Sequence, residues 1–109
     1  MNRYTELSDF DINLLVTKAT NETYRCSASM GYVTVDGNIF NPCNNPTDAM
    51  PIIIENKISL RAPTITDRWK AEFVDEYGNY VGYIRALNKN PLRACMEVFL
   101  MMKDAENNQ

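Results

Sequence analysis

The chain has 109 residues, 45% of them hydrophobic, with five Pro, four Gly and a formal net charge of −3, which is the balance of a globular protein and the length of a single domain spanning 1–109. It contains no His, and that excludes His-based triads, HExxH zinc proteases and the two-His-one-carboxylate iron site. Cys26, Cys43 and Cys95 are odd in number and far apart, with no CxxC pair; neither a disulfide framework nor a four-thiolate zinc site is expected, and the thiols read as reduced and buried.

The first predicted element is a helix over residues 8–20. Ser8 can cap its open N–H groups and Asp11 can return the bond in a capping box, with Leu7 and Ile12 at the staple positions. Ile12, Leu15, Val16 and Ala19 recur at helical spacing and are expected to face the core. Asp9 and Asp11 lie in the first turn, where the helix dipole favours negative charge. Residues 30–35 turn β-branched and aromatic, and Asp36-Gly37 supplies a tight hairpin turn leading to Ile39 and Phe40.

Next comes NPCNNP, three Asn, two Pro and a Cys in six positions. A second helix is predicted to start around residues 45–48, with Pro46 suited to its first position, and to carry Ile52, Ile53 and Ile54 inward. Pro51 lacks an N–H and crowds the preceding turn, so the regular helix is expected to begin close to it or to be irregular before it. Residues 58–61 read as a strand. A second strand covers residues 69–74, with Trp69, Ala71 and Phe73 alternating against Lys70 and Glu72; the DEYGN turn at 75–79 folds residues 80–85 back as its partner.

Asn90 is a good N-cap and Pro91 fits the first position of the last helix, whose stripe is Leu92, Cys95, Met96, Phe99 and Leu100. A second apolar row, Ala94, Val98, Met101 and Met102, requires either deep burial or a homo-oligomer contact along the helix from Pro91 as far as Lys103; burial is favoured, since an open row would be an unusual apolar patch. The tail over residues 104–109 is expected to fray. This order predicts an α+β fold, an antiparallel sheet of about four to five strands packed with three helices.

Two groups of residues have the chemistry of a binding site. Asn41, Asn44, Asn45, Thr47 and Asp48 could surround a polar ligand, with the N–H groups of the second helix open to an anion. The plainer reading is a loop whose Asn and Asp side chains satisfy its own backbone. Trp69, Tyr80, Tyr83 and Arg85 offer ring faces and a guanidinium, parts from which a nucleobase-and-phosphate pocket is assembled, though alternating aromatics in a hairpin also serve as cross-strand packing. Arg93 could pair with Glu97 one turn on, as a surface pair that contributes little. Cys43, near a helix start, is the one thiol whose pKa could be lowered, but a structural role is preferred. Asp and Glu show no metal-ligand spacing. No catalytic residue, metal ligand or cofactor is therefore expected.

Charge is uneven along the chain: residues 1–56 carry three basic and seven acidic side chains, residues 57–93 seven basic and four acidic. An acidic whole disfavours sequence-independent DNA binding, while the basic middle could receive an anionic ligand. There is no apolar run of 18 residues and no signal-peptide pattern at the start, so neither a membrane span nor export is expected.

LSDFDIN, FNPCNNPTDAMPIIIENKISL and NPLRACMEVFLMM, in this order, resemble three hallmark blocks of the NinX-like family of small tailed-bacteriophage and prophage proteins. The resemblance spans almost the whole chain and is weakest over residues 62–89. Family members often have an aromatic and a Gly before the Pro-Ile-Ile, where this chain has Asn45, Pro46 and Met50, a departure that bears on ligand choice. The resemblance implies a phage accessory protein in the cytoplasm of the infected bacterial host and implies no reaction. The first expectation is a non-catalytic binding protein that counters or modulates the host, most concretely by sequestering a nucleotide-like immune signalling molecule between the Asn/Pro loop and the basic aromatic hairpin. The alternatives are a protein-interaction module that inhibits a host or phage protein, and a small carboxylate-based hydrolase of a cyclic nucleotide.

Overall fold

The computed structural model describes residues 2–74 and 80–107. Its elements run α1 (Asp9–Thr20), β1 (Arg25–Ser27), β2 (Tyr32–Val35), β3 (Asn38–Ile39), α2 (Pro46–Glu55), β4 (Ile58–Arg61), β5 (Trp69–Val74), β6 (Tyr80–Asn88) and α3 (Pro91–Asn107). The strands form two antiparallel sheets, β1-β2-β3 and β4-β5-β6. The α+β class with three helices holds, with six strands among the described residues where four to five were expected.

Ser8 opens α1 as its sequence implies. Its hydroxyl accepts the Asp11 N–H at 3.1 Å, and the Asp11 carboxylate accepts the Ser8 N–H at 3.4 Å. Ile12 and Val16 are buried and Leu15 packs beside them, but Ala19 is exposed. The buried face is instead rotated toward Asn13 and Thr17, because the loop before α2 docks there. Thr17 is accommodated by donating its hydroxyl to the Asn13 carbonyl at 2.6 Å, which satisfies a polar group that would otherwise be stranded. The β2–β3 hairpin turns through Asp36 at φ 52 and Gly37 at φ 83, both in the left-handed region that a two-residue turn of this hand requires. β1 has no strand signal of its own and exists by pairing with β2.

Asn45 caps α2 by accepting the Thr47 N–H at 3.0 Å, and Pro46 takes the first helical position. The helix then runs through Pro51 without waiting for it. Pro51 and Thr47 are both exposed, so the carbonyl of Thr47 that loses its i+4 donor can turn to water. Ile52 and Ile53 are buried, while Ile54 is 68% exposed, since three successive helical side chains, each rotated by 100°, cannot all face one core.

The main core lies between α3 and one face of β4-β5-β6, with α1 and α2 packed against α3. On that face Ile58, Ala71, Ile84 and Ala86 are buried. Ala71 stands directly opposite Ala86, and this pair of small side chains lets the helix approach the strands closely. Every residue of α3 from Arg93 to Leu100 is buried, which is how a helix apolar on more than one side must be housed. Of the two apolar rows, Ala94, Cys95, Met96, Val98, Phe99 and Leu100 are buried by the chain's own elements, and Leu92, Met101 and Met102 are partly buried; full burial of a side chain such as Phe99 contributes on the order of 2–3 kcal/mol. The helix does not fray at residue 104: Asp104 receives Arg3 at 3.0 Å and the Tyr4 hydroxyl, which fixes the N-terminal segment across it. The expected turn at 75–79 lies outside the described residues.

Candidate functional site

The Asn/Pro loop is built around Asn13 of α1. The side chain of Asn13 accepts the buried Cys43 N–H at 3.0 Å and donates to Asn41 Oδ1 at 2.7 Å. Asp48 of α2 accepts the Asn41 N–H at 2.9 Å, while Asn44 donates to Asp9 Oδ2 and to Asn41 Oδ1, both at 3.2 Å. From the other side Asn90 donates to the Cys43 carbonyl at 2.7 Å and to Asn44 Oδ1 at 3.1 Å. The same Asn90 caps α3, accepting the Leu92 and Arg93 N–H groups at 3.0 and 3.3 Å.

The loop therefore sits where three helices begin. Three positive dipole ends would draw an anion, but each helix has its own side-chain cap in Ser8, Asn45 or Asn90, and Asp9, Asp11 and Asp48 stand in the first turns. Of the five loop residues expected to contact a ligand, Asn41, Asn44, Asn45 and Asp48 have side chains engaged by the loop and its neighbours, and Asn44, Asn45 and Thr47 are exposed. Among the described residues no buried side-chain nitrogen or oxygen lacks a partner.

Beneath the loop lies a charged cluster that the sequence placed at the surface. Arg93 and Glu97 are 5% and 1% exposed, with Nε to Oε2 at 2.7 Å; Arg93 also donates to Asp9 Oδ1 at 2.7 Å and to the carbonyls of Tyr4 and Leu7 at 3.0 and 2.7 Å. Burial works against the guanidinium, but the hydrogen bonds it donates to Asp9 and Glu97 outweigh it and hold its pKa above the ordinary arginine value. Asn2 donates to the remaining Glu97 oxygen. Cys43 is buried against this cluster. Desolvation, reinforced by Asp9, pushes its thiol up to about 12, the reverse of the lowering that a helix start could bring, because burial disfavours the thiolate more than the nearby Arg93 favours it.

Within the aromatic half of the expected site, Trp69 and Arg85 are not brought together. Trp69 is opposite Asn88 and Ala71 opposite Ala86, whereas Arg85 is opposite Glu72. Side chains alternate along a strand, so Trp69 shares the α3 face and Arg85 the other; the sheet itself separates Arg85 from the Asn/Pro loop. Tyr80 and Tyr83 belong to β6, and their side chains lie outside the described structure. Glu72, which alternates with Trp69, Ala71 and Phe73, is only 5% exposed and receives Arg61 at 2.9 Å.

Two open concavities occur elsewhere, at the end of α1. One of about 460 Å³ is lined by Thr23, Tyr24, Arg25, Thr34, Asp36 and Gly37; the other, of about 640 Å³, includes Lys18, Thr20, Glu22 and again Tyr24. Sequence reasoning missed both, and the first includes Arg25 of β1, a strand it did not foresee. It also missed Asn13 and Asn90 as anchors of the loop; the only signal for Asn13 was a polar pair with Thr17 at helical spacing beside the apolar stripe. No group of three or more metal-ligating side chains is found among the described residues, and no helix there is long and apolar enough to cross a membrane.

A family model described as Bacteriophage P22, NinX matches residues 3–103 of the chain. No curated protein matches it, and no solved structure does.

Proposed function

Since the chain belongs to the Bacteriophage P22 NinX family, we propose that it is a phage accessory protein that acts in the infected bacterium by binding another protein. One observation carries this reading: the polar groups of the most distinctive loop are engaged in holding three helices together, whereas each small sheet presents exposed apolar or cationic side chains on its outer face. On β1-β2-β3 the exposed side includes Tyr32 and Ile39, with Met30 in the adjoining turn; on β4-β5-β6 it includes Arg61, Arg85 and Leu87. Aromatic, Met and Arg side chains are the types over-represented in protein interfaces. The test is affinity capture with the full chain during infection, followed by native mass spectrometry. A stoichiometric protein partner is expected, and its absence across independent infections ends the reading.

A second reading, sequestration of a small anionic or nucleotide-like signal, is favoured by the concavities around Tyr24. Tyr24 lines both, with Arg25 in one and Lys18 in the other, a combination of aromatic surface with cations suited to a nucleobase and its phosphate. A thermal shift with a nucleotide, lost on Tyr24→Ala, is its signature. The hydrolase reading has least to draw on, because Asp48 serves the loop as acceptor for the Asn41 N–H.

A further inference from the structure

We propose that the outer face of β4-β5-β6 docks an acidic segment of the protein partner, an inference that rests on the protein-binding reading above. The register places two rows of side chains on this face. Arg61, Lys70 and Leu87 form one row across the three strands, and Ser59, Glu72 and Arg85 the next. Arg61 and Lys70 are thus directly opposite one another, with Cβ atoms about 5 Å apart, a like-charge pairing that weakens a sheet. Arg85 belongs to the adjacent row, two strand spacings of about 4.8 Å from β4. Three cations stand within a patch roughly 12 Å across.

Among the described residues the only carboxylate in these two rows is Glu72, which is buried and already accepts Arg61 at 2.9 Å. Lys70 and Arg85 also interact within the chain, so an incoming carboxylate joins an existing network. The described residues of these two rows carry three cations and one carboxylate, on a chain of net charge −3. Such a separation of charge orients an acidic partner toward this side and repels it from the rest. Leu87, 51% exposed beside Lys70, adds an apolar contact that favours a protein over a nucleic acid, as does the small number of cations available to displace counterions from phosphates.

The probes are a short synthetic peptide alternating Glu and Leu, its Gln analogue, and a single-stranded oligothymidylate, each titrated against the full chain. The Glu peptide is expected to bind, the Gln analogue at least about tenfold more weakly, in the range of close interfacial charge pairs. Leu87→Glu places a carboxylate on the patch without touching the Arg61–Glu72 pair and should weaken the Glu peptide by a similar factor. Arg85→Gln should do so independently, and Lys18→Gln, at the end of α1, should not. No binding of the Glu peptide, undiminished binding by a folded Leu87→Glu protein, or tighter binding of the oligothymidylate would overturn the proposal. A captured partner that Leu87→Glu retains means that the protein-binding reading stands and this face is the wrong one; no partner for the native chain means that the reading itself fails.

Discussion

Arg93 and Glu97 stand one turn apart on α3, both buried, and the guanidinium links the helix to Asp9 of α1 and to the carbonyls of Tyr4 and Leu7. The pair is the pin that holds the N-terminal segment against the core. Desolvating two charges is expensive, so its value lies in what removal of one partner leaves behind. Arg93→Met strands Glu97 in the interior and should destabilise the fold by about 3–5 kcal/mol. Adding Glu97→Leu should recover a large part of that loss. Urea unfolding of the single and double variants measures both, and a single-variant cost below about 1 kcal/mol would show that the cluster is solvated in solution.

Asn13 and Asn90 tie the Asn/Pro loop to α1 and α3. Asn13→Ala leaves the buried Cys43 N–H without its acceptor, at a cost of about 1–3 kcal/mol. Asn90→Ala removes a helix cap together with the donor to the Cys43 carbonyl, and about 1–2 kcal/mol is expected. Equilibrium denaturation checks each; two neutral substitutions would mean that the loop is held by something else.

The three thiols should differ sharply. Cys26 is exposed, while Cys43 and Cys95 are buried, and desolvation raises the latter two to about 12 and about 11. A maleimide should label Cys26 alone in the native protein and all three after unfolding. The pH dependence follows in sign. The folded pKa values lie above the unfolded ones, so above pH ~9 the unfolded chain loses protons that the folded chain keeps, and stability falls as pH rises toward about 12. Cys43→Ala should flatten this decline, measured as the urea midpoint against pH.

Gly37 and Lys57 both have positive φ, 83 and 55. A Cβ built on Gly37 meets nothing within 4 Å, so Gly37→Val should destabilise by conformation alone, about 1–2 kcal/mol. Lys57 follows the C-cap of α2, a position that favours glycine, and Lys57→Gly should stabilise by up to about 1 kcal/mol. Thermal unfolding of the two variants should move in opposite directions.

Local chemistry made much of the fold legible. Ser8 with Asp11, Asn45 with Pro46, Asn90 with Pro91 and Asp36-Gly37 each satisfy their backbone within a few residues, so their sequence suffices to place three helix starts and one turn. The candidate site was harder to read. Asn41, Asn44, Asn45 and Asp48 have the same donors and acceptors whether they face a ligand or each other, and only Asn13 and Asn90, distant in sequence, decide which. Trp69 and Arg85 looked like neighbours in one hairpin, but strand register put them on opposite faces.

By itself the sequence determined what is set by neighbours along the chain: capped helix starts, the hairpin turn, the α+β class and the lack of any imidazole. Tertiary structure alone decided the fate of charge and polarity. Whether Arg93, Glu97 and Glu72 are solvated, whether Cys43 is acidic or suppressed, and whether three cations share a face all depend on which distant segments exclude water around them. That exclusion is a property of packing, and no local spacing of residues encodes it.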